Sequence, residues 1–271
     1  MDEIKLMRQL EELRVTGPGS GHPRLKNMLA LQEVKQGAAR SLFGLPGLEA
    51  LSEEAVLKEM ASLNGCSANL LERDGDGYMD PRLTLAGMKR AAGKIRQVCA
   101  RQGRILFGTG HPGAMLGFYF ELLKLVRELG GVVVCPGSGL EVKRFRCPDC
   151  GLHDVVEQVD YVGDVATVTN GEGILHRHDE KPCELIIDAA KKAAESLELV
   201  IGDHGFAGAA LVAGLSVIAI MDTNDPAIAA SRLVGFDPII IPMDDNLPNS
   251  ISKQVGLLFC QLVAETTYVD Q

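Results

Sequence analysis

The chain has 271 residues, 46% hydrophobic and 23% charged, and its 27 Lys and Arg against 36 Asp and Glu give a formal net charge of −9. This acidity argues against a nucleic-acid partner, which selects a basic face, and the 4% aromatic content without Trp argues against base-stacking platforms. No apolar run approaches the roughly 20 residues of a membrane span, Met1-Asp2-Glu3-Ile4-Lys5 lacks a signal-peptide core, and an odd seven Cys fits reduced thiols in a cytoplasmic protein.

The first hundred residues read as helical. Ile4 to Val15 and Leu25 to Phe43 carry apolar residues at three- and four-residue spacing, interrupted by Gly17-Pro18-Gly19-Ser20-Gly21. A third helix is expected from Ser52, as N-cap, to Asn64, and a longer one from Pro81 to Gln102. After Arg104 the pattern changes to short apolar runs: Arg104–Gly108, Val132–Cys135, Leu199–Gly202, Val217–Met221 and Pro238–Pro242. Helical stretches such as Ala114–Leu129 and Glu184–Leu197 lie between them. Continuous apolar runs alternating with helices predict a parallel sheet covered on both faces. The block from 141 to 178 differs. Val155-Val156, Tyr161-Val162 and Val165–Val168, with turns at Gly163-Asp164 and Asn170-Gly171, predict antiparallel hairpins inserted between the second and third parallel strands. The expected fold is α/β, a mostly parallel, Rossmann-like three-layer sheet with an inserted β-hairpin segment. A helical N-terminal portion (1–103) and an α/β catalytic portion (104–271) would form one integrated domain.

Polar residues gather where those strands end. The first runs into Gly108-Thr109-Gly110-His111-Pro112-Gly113 and the second into Pro136-Gly137-Ser138-Gly139. Asp203-His204-Gly205, Asp222-Thr223-Asn224-Asp225-Pro226 and Asp244-Asp245-Asn246 follow the others. Ligands of open parallel sheets bind outside the carboxyl ends of the strands. Gly108-x-Gly110-x-x-Gly113 matches a dinucleotide fingerprint, but the second strand ends in Cys135-Pro136-Gly137, without the acid that holds a ribose hydroxyl. The turn still suits a phosphate, because free amides and a helix dipole both favour an anion. His176 and His178 alternate at the close of the hairpin segment and can face one centre. Asp203 and Asp222 are candidates to ligate a cation or act as nucleophile or base, with helix capping as the competing role for Asp203.

Two further motifs stand apart. Cys147-Pro148-Asp149-Cys150 has zinc-knuckle spacing, with His153 as a third candidate ligand, but a full structural site needs a second pair. A half-site completed by another subunit would make the protein a homo-oligomer. Asp74-Gly75-Asp76-Gly77 imitates the start of a calcium loop, and Leu85 at its twelfth position excludes an EF-hand.

Gly108-Thr-Gly-His-Pro-Gly113, His176-x-His178, Gly202-Asp-His-Gly-Phe-Ala-Gly-Ala209, Asp222-x-Asn-Asp-Pro226 and Pro242-x-Asp-Asp-Asn246, in that order, resemble a bacterial phosphatase family. The resemblance runs from about Arg82 to the C-terminus, and the Cys147–Cys150 pair departs from the family pattern. It implies a cytoplasmic α/β hydrolase of phosphate esters. The leading expectation is therefore a phosphatase for a small phosphorylated metabolite. Gly108, Thr109, Gly110, Gly113, Asn224 and Asn246 would bind the substrate, and His111, His178, Asp203 and Asp222 would carry catalysis. His176, His178, Asp203, His204 and Asp222 would hold a divalent metal, magnesium or zinc. A metal-bound water and an Asp nucleophile forming an acyl phosphate both remain open as mechanisms. The rival readings are a nucleotide- or dinucleotide-dependent enzyme and a non-catalytic phosphometabolite-binding protein.

Overall fold

Residues 2–148 and 151–265 are described by a computed structural model of the chain. The helical half contains α1 (Glu3–Glu12), β1 (Gly17–Pro18), α2 (Arg24–Lys35), α3 (Ala39–Leu42), α4 (Glu53–Asn64), β2 (Tyr78–Met79) and α5 (Pro81–Ala100). Then come β3 (Arg104–Gly108), α6 (Pro112–Glu128), β4 (Val132–Val133), β5 (Glu141–Arg146), β6 (Asp154–Val162), β7 (Val165–Thr169) and β8 (Ile174–Leu175). The chain continues through α7 (Lys181–Lys192), β9 (Leu199–Gly202), α8 (His204–Val212), β10 (Ser216–Met221), α9 (Pro226–Ser231), β11 (Ile239–Pro242) and α10 (Asn249–Glu265). No described helix is long and apolar enough to cross a membrane.

The apolar runs do become parallel strands, in the order β4-β3-β9-β10-β11. Their side chains are apolar on both faces, so both faces need a helical layer. Leu6, Met88, Ile95, Met115, Leu122 and Phe259 of α1, α5, α6 and α10 pack with Ile105 and Phe107 on one side. Met28, Leu57, Ile186, Phe206 and Ile228 of α2, α4, α7, α8 and α9 pack with Leu106 and Val200 on the other. The result is a three-layer α/β fold in which the first hundred residues supply helices to both layers. The chain leaves β3 through α6 on one face and β9 through α8 on the other. The crevice between β3 and β9 is therefore a topological switch point, where such sheets bind ligands.

Two expectations change. The 141–178 block does form antiparallel hairpins, but it is no excursion from the sheet: β7-β6-β5 extend it. β4 is only two residues long and covers Arg104 and Ile105, which leaves the C-terminal half of β3 free to pair Phe107 and Gly108 with Val165 and Ala166. The continuous helix expected over Leu25–Phe43 divides at Gly37, whose φ of +71° a helix cannot contain. Ser52 caps α4 as the sequence predicts, accepting from the Ala55 N–H.

Candidate active site

The end of β9 shows how the site is braced. Asp203 stands at the N-cap position of α8, yet its carboxylate does not cap the helix. One oxygen accepts from the Thr109 hydroxyl (2.6 Å) and the Tyr119 hydroxyl (3.0 Å), and the other accepts from the Gly110 N–H (2.6 Å). Burial opposes its ionisation, but His204 and the Thr109 hydroxyl hold its carboxyl below the usual range. These bonds tie the turn after β3 to the end of β9 and consume the groups expected to bind phosphate. Thr109 is buried and also accepts from the His111 N–H. Gly108 packs under Phe206, which would lie 2.2 Å from a Cβ there. In this structure the Thr109 hydroxyl and the Gly110 N–H of the turn are engaged by Asp203 rather than turned outward. Gly113 has open space beside it and lines, with His111 and Asn246, a recess of about 450 Å³ at the start of α6.

Next to this brace the residues change character. His204 begins α8 with φ +45°, a conformation L-residues adopt only at a cost, and its ring is buried. Its Nε2 lies 3.5 Å from Asp225 Oδ1 and 3.5 Å from Asp245 Oδ2. The rings of His178 and His111 lie 4.3 and 5.1 Å from it, and His176 stacks on His111 at 3.9 Å. The hairpin reaches this place because Gly110 has no side chain. The Arg177 carbonyl oxygen would be 2.0 Å from a Cβ, and the Arg177 N–H donates to the Gly110 carbonyl at 2.8 Å. His176 and His178 flank that bond, as alternation requires, with their Nε2 atoms 2.8 Å apart. Arg177 turns instead to Glu157 and Asp179.

The electrostatics are those of a cluster short of positive charge. Burial pushes His176 and His178 down to about 4, and His111 is lowered for the same reason. Burial alone would lower His204 too, but Asp225, Asp203 and Asp245 raise it well above its ordinary value. Asp245 is driven up by burial and by the neighbouring Asp225, Asp222 and Asp203. One imidazolium faces three buried carboxyl groups through ion-pair contacts of 3.2–3.5 Å, and among the described residues His204 Nδ1, Asn224 Oδ1, Asp225 Oδ1 and Asp245 Oδ2 have no hydrogen-bond partner. Buried polar atoms without partners are rare in native proteins and call for an explanation. A cation supplies one. His204, Asp225 and Asp245 form a group with ligand atoms mutually within 4.8 Å, and His111, His176 and His204 form another.

Asp222 belongs to a different wall of the same cleft. Its Oδ2 is 2.8 Å from His22 Nδ1, a residue 200 positions away that follows the Gly17–Gly21 break and is not among the candidates read from the sequence. That bond raises the His22 pKa. His22, His111, His176, His178, Asn224, Asp225 and Asn246 all line one cavity of about 760 Å³, roofed by Lys26, Leu29 and Arg40 of the helical half. The structure therefore gathers His111, His176, His178, Asp203, His204, Asp222, Asn224 and Asn246, and adds His22, Asp225 and Asp245. A signal for His22 exists: Gly-His-Pro occurs twice, at 21–23 and 110–112, each time at the start of a helix. Cys147 lies beyond β5, at the far edge of the sheet, and Cys150 lies outside the described residues.

A doubly wound sheet with carboxylates and imidazoles gathered at its switch point is the setting of a hydrolytic enzyme, and comparison with known proteins specifies the kind. The chain belongs to the phosphatase family, whose model matches residues 1–255, well beyond the Arg82 start of the motif resemblance. A Streptomyces coelicolor protein named as a phosphatase is 28% identical over 245 residues, which cover 90% of this chain and 88% of that protein.

Proposed function

We propose that this phosphatase hydrolyses the phosphate monoester of a small cytoplasmic metabolite with the help of a divalent cation. The observation that carries this reading is the set of buried atoms on His204, Asn224, Asp225 and Asp245 that have no hydrogen-bond partner among the described residues. His204, Asp225 and Asp245 would hold the cation, with His111 and His176 as further donors, and a donor set this rich in imidazole favours zinc over magnesium. When bound, such an ion polarises a phosphoryl oxygen and activates water at neutral pH.

The chain's own residues have separable tasks. Asp203, whose oxygens are occupied by three donors, positions the turn after β3 and the hairpin docked on it. His178 and His176 stay neutral at physiological pH and share one Nε2–Nε2 hydrogen bond, so the ring that donates keeps its Nδ1 lone pair for a metal. Lys26 brings positive charge to the cavity mouth of an acidic protein, where Arg40 is paired with Glu33 in the same wall. An Asp nucleophile has one well-placed candidate, Asp225, which lines the cavity. The test is metal analysis of the purified protein together with hydrolysis of an aryl phosphate with and without chelator. Bound metal and chelator-sensitive turnover are expected. Undiminished turnover by metal-free protein, with a trapped phospho-aspartate at Asp225, would replace this reading with the covalent one.

A further inference from the structure

We propose that His22 is the proton donor to the leaving-group oxygen, a role that rests on the monoesterase reading. The first argument is orientation. Asp222 is fully buried and accepts at 2.8 Å from Nδ1, which holds that nitrogen as a donor and turns Nε2 away from the carboxylate, so that in the imidazolium Nε2 carries the free proton. Nε2 has no hydrogen-bond partner among the described residues, and the ring lines the cavity with only 12% of its side chain exposed. A carboxylate behind an imidazole whose other nitrogen faces substrate is the arrangement general acid–base catalysis requires.

The second argument is how much of the chain serves to place this ring. The Gly21 N–H donates to Asp244 Oδ2 (3.0 Å), the His22 N–H donates to the Thr223 hydroxyl (2.9 Å), and the Asn27 amide donates to the His22 carbonyl (3.0 Å). Gly21 has φ +68°, and a Cβ there would sit 2.4 Å from Asp222 Oδ1, so only glycine brings the loop close enough. Behind it, the 69–77 loop acts as a buttress. The Gly19 N–H donates to the Gly77 carbonyl, and the Arg24 guanidinium donates to the Asn69 and Glu72 carbonyls. The segment that resembled a calcium loop in sequence is a support for His22. Of the other cavity imidazoles, His176 and His178 face each other, and His111 lies against His176 and Asp245, on the side of the cation ligands.

In the step itself, the oxygen of water forms a bond to phosphorus while the ester P–O bond breaks and leaves its electron pair on the alkoxide oxygen. The Nε2 proton passes to that oxygen, giving the alcohol. The proton lost by the attacking water restores the imidazolium through solvent, and inorganic phosphate leaves. An acid matters most where the leaving group is poor, so the test compares leaving groups. In His22→Asn the amide can still donate to Asp222, but no acid remains. The activity of the metal-loaded variant on a simple alkyl phosphate should fall about a hundredfold or more, and on nitrophenyl phosphate by less than about tenfold. Equal losses on both esters, or none, would overturn the proposal. The wild-type protein supplies a check that survives misfolding of the variant: its kcat/KM should depend weakly on leaving-group pKa, and a steep dependence would overturn the role as well. Wild-type protein inert toward both esters would remove the monoesterase reading itself.

Discussion

Asp203 ends β9 and Asp245 follows β11, so both are aspartates buried at the same edge of one sheet, within reach of the same imidazole, His204. Their surroundings differ in one respect. Among the described residues, Asp203 receives three hydrogen bonds from Thr109, Gly110 and Tyr119, whereas Asp245 has only His111, at 3.2 Å, on one oxygen, and on the other no hydrogen bond but an ion-pair contact with His204 Nε2 at 3.5 Å. A buried carboxylate with its donors in place is a brace. One without them is either protonated or waiting for a cation. The difference teaches that burial and strand-end position do not separate these two carboxylates; the number of donors around each does.

Removing Asp245 should break the comparison most sharply. Asp245→Asn is expected to lower kcat/KM by a hundredfold or more, because it deletes a proposed cation ligand. Its melting temperature without metal should not fall, since a poorly compensated buried charge goes with it. Asp203→Asn should do the opposite in proportion. Loss of charge-assisted bonds to buried donors should cost about 2 kcal/mol or more of stability by denaturant unfolding, with metal affinity largely kept.

The acid side of the stability curve sharpens the same point. His176 and His178, at about 4 in the folded protein, bind fewer protons than in the unfolded chain between that value and about 6.5. Stability measured in chelator should therefore decline as pH falls through this window. Asp245, held above its usual range, gives the opposite slope there, so the decline should steepen in Asp245→Asn. The smallest effect belongs to Cys147→Ser at the far sheet edge, expected to leave turnover within about twofold in a folded protein.

Much of this was legible in the residues. Parallel strands buried on both faces announce themselves as runs such as Leu199–Gly202 and Val217–Met221, and the polar ends of those runs meet at the candidate site. The alternation of His176 and His178 places both rings on one centre. What the sequence hides is pairing across long separations. The proposal of Asp225 and Asp245 rather than Asp203 as cation ligands depends on donors delivered by Thr109 and Tyr119, roughly ninety positions from Asp203, and His22 meets Asp222 only because Gly21 and Gly77 let two loops pass at backbone distance. β7 joins β3 because β4 stops after two residues, a length that no pattern in Val132–Cys135 specifies.

The most direct test of the contrast between the two carboxylates is thermal unfolding of metal-stripped protein titrated with zinc and with magnesium. The wild-type melting temperature should rise with cation concentration, as mass action requires of an ion that binds the folded state. Asp203→Asn should follow it from a lower starting point, and Asp245→Asn should not respond. A wild-type protein that turns over phosphate esters yet melts at the same temperature with or without any divalent cation would contradict the assignment of His204, Asp225 and Asp245 as a cation site.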